Sequence, residues 1–262
     1  MHKARKRFGQ HFLTDEQIID DIVRAIRPEP ADHMVEIGPG LGALTRPLIK
    51  LVRQLHVVEI DRDILVRLEN EYAKDKLVIH AGDALKFDLA QLPAPLRIVG
   101  NLPYNISSPL LFHFSAYAER ILDMHFMLQN EVVERMVAEK STPAYGRLSV
   151  MLQYRFHMEK LLDVPPAAFR PEPKVDSAVV RMIPLPRNEL LVSNDRLFAT
   201  VVAAGFGQRR KTLRNTLKNY LDAGAYVRLD INPQLRAENL GVAEFARITN
   251  YLERPDFNSP AK

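Results

Sequence analysis

A short apolar strand that runs directly into three glycines is the feature that most restricts what this chain can fold into. Residues 35–45 read Val-Glu-Ile-Gly-Pro-Gly-Leu-Gly-Ala-Leu-Thr, and the pattern of a helix follows. Glycine adopts positive φ angles and has no Cβ, so a ligand can lie against the backbone at the N-terminus of that helix. A second apolar strand ends at Glu59, 21 residues after Gly38, where a carboxylate can accept both hydroxyls of a ribose. The sequence therefore predicts a site for a nucleoside-containing cofactor.

Strands and helices alternate around this loop. The periodicity of the apolar residues predicts strands over residues 34–37, 55–60, 77–80, 96–99, 124–128 and 177–183. It predicts helices over residues 14–26, 41–52, 64–72 and 109–117, the first of which opens with the capping box Thr14-x-x-Gln17. Strands separated by helices form mostly parallel sheets that helices cover on both faces. We therefore expect an α/β fold with a doubly wound, Rossmann-like sheet.

The chain changes character after Pro184 and Pro186. Beyond them the apolar residues recur at helical spacing, over residues 197–204, 211–221 and 243–252. We therefore predict two domains, an α/β domain of residues 1–186 and a small all-helical domain of residues 187–262.

Composition excludes several kinds of site. The chain has no Cys, which excludes disulfides, thiolate zinc sites and cysteine nucleophiles. Its 8 His residues lack the spacing of metal ligands, so we expect no metal. No apolar run approaches the roughly 20 residues that cross a bilayer, and no signal-peptide stretch follows the basic residues 3–7. We expect a cytoplasmic monomer that does not bind membranes, and its net charge of +4 mildly favours polyanions.

The glycine loop fits two cofactors. The dinucleotide pattern G-x-G-x-x-G/A of NAD-binding proteins is satisfied by Gly38, Gly40 and Ala43. Three other residues favour S-adenosylmethionine. Glu36 precedes the glycines, where the cationic amine of a methionine can pair with it, and Gly42 extends the pattern to G-x-G-x-G. Asp83 ends a third strand in Gly-Asp-Ala, where it can accept a hydrogen bond from the amine of the cofactor's adenine.

A second loop, residues 101–107, follows the fourth predicted strand and reads Asn-Leu-Pro-Tyr-Asn-Ile-Ser. In an open α/β sheet it faces the same crevice as the glycine loop. An adenine amino nitrogen is a poor nucleophile because its lone pair is delocalised into the ring. The side-chain oxygen of Asn101 and the backbone carbonyl of Leu102 can bind its two N–H groups and favour a pyramidal nitrogen. Pro103 stiffens the turn, and Tyr104 offers an aromatic face to a base taken out of its stack.

Together these motifs resemble a known family. The chain is similar to the bacterial small-subunit ribosomal RNA adenine dimethyltransferases over nearly its whole length. The resemblance is carried by residues 5–13 (RKRFGQHFL), 36–45, 59, 82–84, 101–107, 169–178 (FRPEPKVDSA), 209–214 (RRKTLR) and 236–239 (RAEN). It implies a class I methyltransferase sheet, S-adenosylmethionine as cofactor and small-subunit ribosomal RNA as partner. It also implies the transfer of two methyl groups to each of two adjacent adenosines near the 3′ end of that RNA.

The resemblance also assigns roles to individual residues. The predicted cofactor contacts are His11, Leu13, Gly38, Glu59, Asp83 and Asn101. Gly40 of the glycine loop is a further predicted contact. Many members of the family carry Asn at the position of His11. In related enzymes an aromatic residue at the position of Phe169 covers the face of the target base opposite the aromatic residue of the Asn-Leu-Pro-Tyr loop. The predicted catalytic residues are therefore Asn101, Leu102, Tyr104 and Phe169.

Five basic residues, called here the basic cluster, fall on one predicted helix of the second domain. They are Arg209, Arg210, Lys211, Arg214 and Lys218. Three of them are spaced by four and share a face of that helix, while Leu213 and Leu217 pack inward. Acidic residues are absent from residues 205–220, which removes the usual pairing within a helix. We predict that the basic cluster binds the phosphates of RNA.

Three other functions remain open at this point. A resistance-type adenine methyltransferase would act on large-subunit ribosomal RNA, but residues 209–214 and 236–239 favour the small-subunit group. A non-catalytic RNA- or DNA-binding factor would not need the full set of cofactor positions together with Asn101. An NAD-dependent oxidoreductase leaves residues 101–104 unexplained.

Overall fold

The computed structural model describes residues 11–253 of the chain. The described residues form two compact units, of which the first contains residues 11–133 and 157–184 and the second contains residues 134–156 and 185–253. The sequence pattern alone places residues 134–156 in the first domain. The structure groups them with the second unit because Tyr145, Val150 and Tyr154 are buried in its core.

Among residues 11–253, the first unit contains the strands, apart from Phe156 at the start of β7, and the first four helices. Its strands are β1 (Phe12–Leu13), β2 (His33–Ile37), β3 (Leu55–Glu59), β4 (Leu77–Ala81), β5 (Leu96–Asn101), β6 (Ile121–Gln129), β7 (Phe156–Val164), β8 (Phe169–Arg170) and β9 (Ser177–Pro184). Its helices are α1 (Glu16–Ile26), α2 (Thr45–Leu51), α3 (Arg62–Glu71) and α4 (Ser107–Ser115). The helix α5 (Asn130–Val137) follows β6 and contains the point at which the chain passes to the second unit.

Seven of the strands form one sheet with the order β4-β3-β2-β5-β6-β9-β7. The strands from β4 to β6 run parallel, and β9 runs antiparallel to β6. The chain moves outward from β2 to β4 and then returns to continue in the other direction from β5. Since crossovers between parallel strands are right-handed, α2 and α3 cover one face of the sheet and α4 covers the other. The predicted α/β, doubly wound class is confirmed.

The strand order reverses between β2 and β5, which opens a crevice at their carboxyl ends. The two strands approach very closely there, because a Cβ on Gly100 would lie 2.5 Å from the carbonyl oxygen of Ile37. Only glycine fits at this position of β5. The loops that follow β2 and β5 are therefore neighbours.

Helix α1 begins one residue later than the capping box predicts. Its N-cap is Asp15, whose carboxylate accepts a hydrogen bond from the Ile18 N–H at 3.1 Å, and not Thr14. Thr14 bonds instead to the Ala168 carbonyl oxygen through both its N–H and its hydroxyl. The predicted apolar face is present, since Ile22 and Ile26 are buried.

One buried guanidinium, that of Arg97 near the start of β5, joins α1 to the sheet. It donates to both carboxylate oxygens of Asp123 on β6, at 2.9 and 2.7 Å, and to Asp32 at 2.7 Å. It also donates to the carbonyl oxygens of Ile26 and Arg27 at 2.6 and 3.0 Å. These carbonyl oxygens lie at the C-terminal end of α1, where the helix offers them no N–H donor. Arg97 is only 8% exposed, so these contacts must offset the free-energy cost of burying its positive charge.

The second unit is helical in the part that the structure describes. In addition to the end of α5, its helices are α6 (Arg147–Gln153), α7 (Asp195–Phe206), α8 (Leu213–Thr216), α9 (Ala223–Leu229) and α10 (Val242–Leu252). The side chains of Asn194 and Asp222 cap α7 and α9. The core of this unit includes Phe198, Val201, Leu213, Leu217, Phe245 and Ile248.

The helix predicted over residues 211–221 is much shorter in the structure. Only α8 is helical, and turns follow it through residue 220. The sequence of this segment contains Asn215, Thr216 and Asn219, which are weak helix formers. Its first N–H groups bond outside the helix, since Leu213 donates to the Leu235 carbonyl oxygen at 2.7 Å. No helix within residues 11–253 is long and apolar enough to cross a membrane.

The buried ion pairs of Arg97 generate a prediction about stability. We expect Arg97→Ala to lower the free energy of unfolding by about 3 kcal/mol, because it leaves two mostly buried carboxylates without a counter-charge. The control is Arg67→Ala, which breaks an exposed pair with Glu71 and should cost at most about 1 kcal/mol. Urea unfolding followed by circular dichroism measures both. Equal losses for the two variants would contradict the prediction.

Candidate active site

A cavity of about 280 Å³ opens at the carboxyl ends of β2, β3, β4 and β5. Five segments and Leu110 of α4 line it: residues 11–13, residues 36–44 except Gly42, residues 58–60, residues 82–85 and residues 101–106. All of the predicted cofactor-binding residues are among them, as are Asn101, Leu102 and Tyr104. The structure therefore brings together the glycine loop and the Asn-Leu-Pro-Tyr loop, as the sequence predicts.

The glycine loop forms the floor of this cavity. Gly38 and Gly40 have φ angles of 66° and 54°, which side chains rarely adopt. The Gly38 N–H donates to the Val58 carbonyl oxygen at 2.9 Å, which fixes the loop against β3. A Cβ on Gly38 would meet no atom within 4 Å, so the space beside it is open for a ligand. A Cβ on Gly40 would lie 3.2 Å from the Phe12 ring, which packs against the loop.

Glu59 stands at the end of β3 and faces the cavity. Its Oε1 accepts hydrogen bonds from the backbone N–H groups of Ile60 and Asp61, at 2.8 and 2.7 Å. Burial raises the pKa of Glu59, against the effect of these hydrogen bonds. The carboxylate is thus fixed by the backbone and has acceptor capacity left for a ligand.

Glu36 is a second buried carboxylate that lines the cavity, from β2. The Thr45 hydroxyl donates to its Oε2 at 2.6 Å. Burial raises the pKa of Glu36 to about 7, the Thr45 hydrogen bond opposes this shift, and the nearby charge of Glu59 adds to it. A cationic ligand group in this cavity would relieve the cost of both charges.

Asp83 follows β4 at the far side of the cavity. Its Oδ1 accepts a hydrogen bond from the Leu85 N–H at 3.0 Å, which fixes the carboxylate in a tight turn. Asp83 is half-buried and lines the cavity, in agreement with the position that the sequence predicts.

The amide of Asn101 is oriented by the backbone of the N-terminal segment. Its Nδ2 donates to the His11 carbonyl oxygen at 2.9 Å. Because the nitrogen is engaged there, the Oδ1 of Asn101 is left as an acceptor at the cavity. The backbone of Leu102 is also fixed, since its N–H donates to the Met127 carbonyl oxygen on β6 at 3.1 Å.

The ring of Tyr104 has partners that the sequence did not reveal. Its hydroxyl lies 2.6 Å from the Oγ of Ser177, and its ring stacks on that of His11 with centroids 5.8 Å apart and planes at 21°. The His11 ring in turn is held by a hydrogen bond between its Nδ1 and the Pro171 carbonyl oxygen, at 2.8 Å. None of these contacts has a local sequence signal, because each joins residues far apart in the chain.

Of the predicted catalytic residues, Phe169 is the one that the structure does not place at the cavity. Phe169 is fully buried in the core of the first unit and does not line the cavity. The pairing of β8 with β1, which places Phe169 opposite Leu13, fixes this segment to the core. The ring that faces Tyr104 is that of His11.

The basic cluster is exposed but does not lie on one helix. Arg209, Arg210 and Lys211 precede α8, Arg214 lies on it, and Lys218 follows it. The spacing by four therefore does not define a helical face. Arg209 lies 3.9 Å from Glu238, whereas the other four basic residues have no carboxylate within 4.0 Å among the residues that the structure describes.

Comparison with known proteins identifies the family. The profile of the ribosomal RNA adenine dimethylase family matches residues 1–254. The chain belongs to that family. The ribosomal RNA small subunit methyltransferase A of Aromatoleum aromaticum is 61% identical over 251 residues, which are 96% of this chain and 95% of that protein. The protein of the same name from Thiobacillus denitrificans is 61% identical over 252 residues, covering 96% of this chain and 99% of that protein.

Solved structures of related proteins share the fold of this dimethylase. A dimethyladenosine transferase from Plasmodium falciparum superposes with a TM-score of 0.78 at 26% identity, covering 91% of this chain and 96% of that one. The 23S rRNA methyltransferase ErmE superposes with a TM-score of 0.71 at 25% identity, covering 93% of this chain and all of that one.

S-adenosylmethionine is the cofactor of this dimethylase, and the cavity residues fit it. The ligand carries an ammonium and a sulfonium charge, and the cavity holds the two buried carboxylates of Glu36 and Glu59. It also contains an adenosine, whose ribose hydroxyls and adenine amine would need acceptors, and the carboxylates of Glu59 and Asp83 line the same cavity. The open space beside Gly38 leaves room for it against the backbone.

The pKa of Glu36 generates a prediction about cofactor binding. Burial raises this pKa to about 7 in the free protein, and a bound cation lowers it, so binding at neutral pH releases a proton from those molecules in which Glu36 is protonated. The affinity for S-adenosylmethionine should therefore fall as the pH falls below about 7, by up to about tenfold per unit for one proton. Calorimetry between about pH 8 and about pH 6, in two buffers of different ionisation enthalpy, measures both the affinity and the proton release.

The control is Glu36→Gln, which keeps an acceptor for the Thr45 hydroxyl and removes the titrating group. This variant should show a smaller pH dependence than the unmodified protein. An affinity of the unmodified protein that is the same at both pH values would refute the role of Glu36.

Proposed function

We propose that this protein transfers methyl groups from S-adenosylmethionine to the N6 amino groups of two adjacent adenosines near the 3′ end of 16S ribosomal RNA, as a step in maturation of the small subunit. The observation that carries the proposal is the fixed acceptor oxygen of Asn101 beside the glycine loop. Two relatives that are 61% identical to the chain are named small subunit methyltransferase A, while the 23S rRNA methyltransferase ErmE is 25% identical. This difference favours small-subunit RNA over large-subunit RNA.

The chemistry requires a nitrogen whose lone pair points at the methyl carbon. The Oδ1 of Asn101 and the carbonyl oxygen of Leu102 accept the two hydrogens of the amino group, which favours a pyramidal nitrogen. Both acceptors gain strength as positive charge develops on that nitrogen, so they stabilise the transition state more than the bound substrate. When bound, S-adenosylmethionine supplies an electrophilic methyl group on a sulfonium, which is a good leaving group.

The loop provides no dedicated general base. Residues 101–107 contain no His, Lys, Asp or Glu. No side chain of this loop would therefore take the proton before the nitrogen attacks, and the proton would leave the nitrogen for water after the transfer. The first product still carries one N–H, which can bind either acceptor during the second transfer. Tyr104 holds the base by stacking against its ring.

The second unit binds the RNA backbone in this proposal. The five residues of the basic cluster are exposed. Within the described part of the chain, four of them form no ion pair with a carboxylate. Free cations on a surface are suited to displace counterions from phosphates. We further propose that the protein acts as a monomer in the cytoplasm.

Methyl transfer from labelled S-adenosylmethionine tests the activity as a whole. Small subunits that lack the modification should accept label on adenosines near the 3′ end of their RNA, and large subunits should not. Label on large-subunit RNA alone would favour the resistance-type activity. RNA binding without any transfer would favour a non-catalytic factor.

For the catalytic loop, we expect Asn101→Ala to lower the rate of methyl transfer by about 10²–10³, because an oriented polar group at the reacting atom is removed. Single-turnover methylation with saturating cofactor and RNA measures this rate, and RNA affinity should barely change. The matched control is Asn70→Ala, whose amide bonds to the Val66 carbonyl oxygen on the exposed side of α3. A rate for Asn101→Ala within about threefold of the unmodified protein would exclude this mechanism.

For the basic cluster, we expect the triple change of Arg210, Arg214 and Lys218 to Ala to weaken RNA binding. The slope of log affinity against log salt should flatten by roughly 0.7–0.9 for each phosphate that the variant no longer neutralises. Affinity for S-adenosylmethionine should be unaltered. The control is the triple Ala variant of Arg24, Lys50 and Arg53, three exposed residues near the amino ends of the parallel strands, away from the cavity. Equal slopes for the two triple variants would argue against a specific role of the cluster.

A further inference from the structure

A single buried hydroxyl holds the far end of the Tyr104 side chain. The Tyr104 hydroxyl and the Ser177 Oγ are 2.6 Å apart, although the two residues are 73 positions apart in the chain. Ser177 has no exposed surface and is the first residue of β9. It pairs in register with Gln129 at the end of β6. The strand pairing fixes the backbone of Ser177, so its hydroxyl is a fixed point for the Tyr104 ring.

The other contacts of Tyr104 fix its backbone but not the direction of its side chain. Its carbonyl oxygen accepts a hydrogen bond from the Ser107 hydroxyl at 3.1 Å. The Ile106 N–H closes the turn by donating to the Pro103 carbonyl oxygen at 3.1 Å. A tyrosine side chain still turns about two bonds after its backbone is fixed. The bond to Ser177 removes most of that freedom, and the stacked His11 ring restricts the plane of the aromatic ring.

We propose that Ser177 is a positioning residue for methyl transfer, which holds the Tyr104 ring in the orientation against which the target base stacks. This inference rests on the proposed function. A ring that is ordered before the base arrives loses no side-chain freedom when the base binds. It also fixes the plane of the base, and with it the direction of the amino nitrogen towards the methyl carbon.

A purely structural role of Ser177 makes a different prediction. The backbone of β9 is held by its pairing with β6 over residues 177–182, so the strand does not depend on the serine hydroxyl. If Ser177 served only to satisfy a buried polar group, its replacement would lower stability and leave the rate of transfer unaltered below the unfolding temperature. If it positions Tyr104, the rate falls in a protein that remains folded.

A double-mutant cycle separates these roles. The variants are Ser177→Ala, Tyr104→Phe and the two changes together, measured by single-turnover methylation with saturating cofactor and RNA. Each single change should lower the rate by about 3- to 10-fold, the effect of one neutral hydrogen bond. The double variant should be no slower than the slower single variant, because each change removes the same bond. Rates that multiply in the double variant would overturn the proposal, as would a Ser177→Ala rate within about twofold of the unmodified protein.

A spectroscopic measurement reports on the ring directly. The probe is RNA that carries 2-aminopurine in place of the target adenine. The fluorescence of this base rises when it leaves its stack in the RNA and is quenched when it packs against an aromatic ring. Ser177→Ala should reduce the quenching that follows this packing, while the affinity for S-adenosylmethionine stays the same. Undiminished quenching in the variant would count against the positioning role.

The matched control is Ser115→Ala, which removes a half-buried serine hydroxyl that bonds only to the Leu111 carbonyl oxygen of its own helix, α4. Its transfer rate should equal that of the unmodified protein. If neither the unmodified protein nor the Ser115→Ala variant transfers methyl groups, the proposed function fails. If both transfer methyl groups and Ser177→Ala transfers them at the same rate, only the proposed role of Ser177 fails. If Ser177→Ala does not fold, the test uses Tyr104→Phe alone. A methyl-transfer rate of Tyr104→Phe equal to that of the unmodified protein would exclude a role for the hydrogen bond.

Discussion

The close approach of β2 and β5 at their carboxyl ends is the constraint on which the whole site depends. Because Gly100 has no Cβ, β5 passes within contact distance of the Ile37 carbonyl oxygen. A larger residue at position 100 would push the strand ends apart, and with them the glycine loop and Asn101. In the proposed reaction these two loops hold the methyl donor and the methyl acceptor. The spacing between two strands thus sets the distance over which the methyl group moves.

The N-terminal segment then links the two loops to each other. The Phe12 ring packs against Gly40, while the His11 carbonyl oxygen fixes the amide of Asn101. The resemblance to the family marks His11 and Leu13 as cofactor contacts. The structure shows that His11 also serves through its backbone, a contact that any residue at this position can make. The orientation of the Asn101 amide therefore does not depend on the imidazole of His11.

Much of the site was predictable because its signals are local. Each strand from β2 to β5 is a short apolar run. Gly38 and Asp83 follow β2 and β4, Glu59 and Asn101 end β3 and β5, and parallel strands bring these residues to one edge. The strand β7 gave no such signal, because its sequence FHMEKLLDV mixes charged and apolar residues at the edge of the sheet. The burial of Phe169 and the Tyr104–Ser177 bond were also invisible to sequence patterns. They arise from pairings between segments that are distant in the chain.

The position of β9 in the sheet has a consequence for the order in which the protein is made. This strand lies between β6 and β7, both of which precede it in the chain, so the sheet stays incomplete until the end of the first unit is synthesised. The residues that line the cavity all lie between positions 11 and 110 and emerge from the ribosome long before. The growing chain thus contains every residue of its cofactor cavity before it contains the serine that secures Tyr104. In the first unit, the part of the site that holds the base in the proposed function is therefore completed after the part that holds the cofactor.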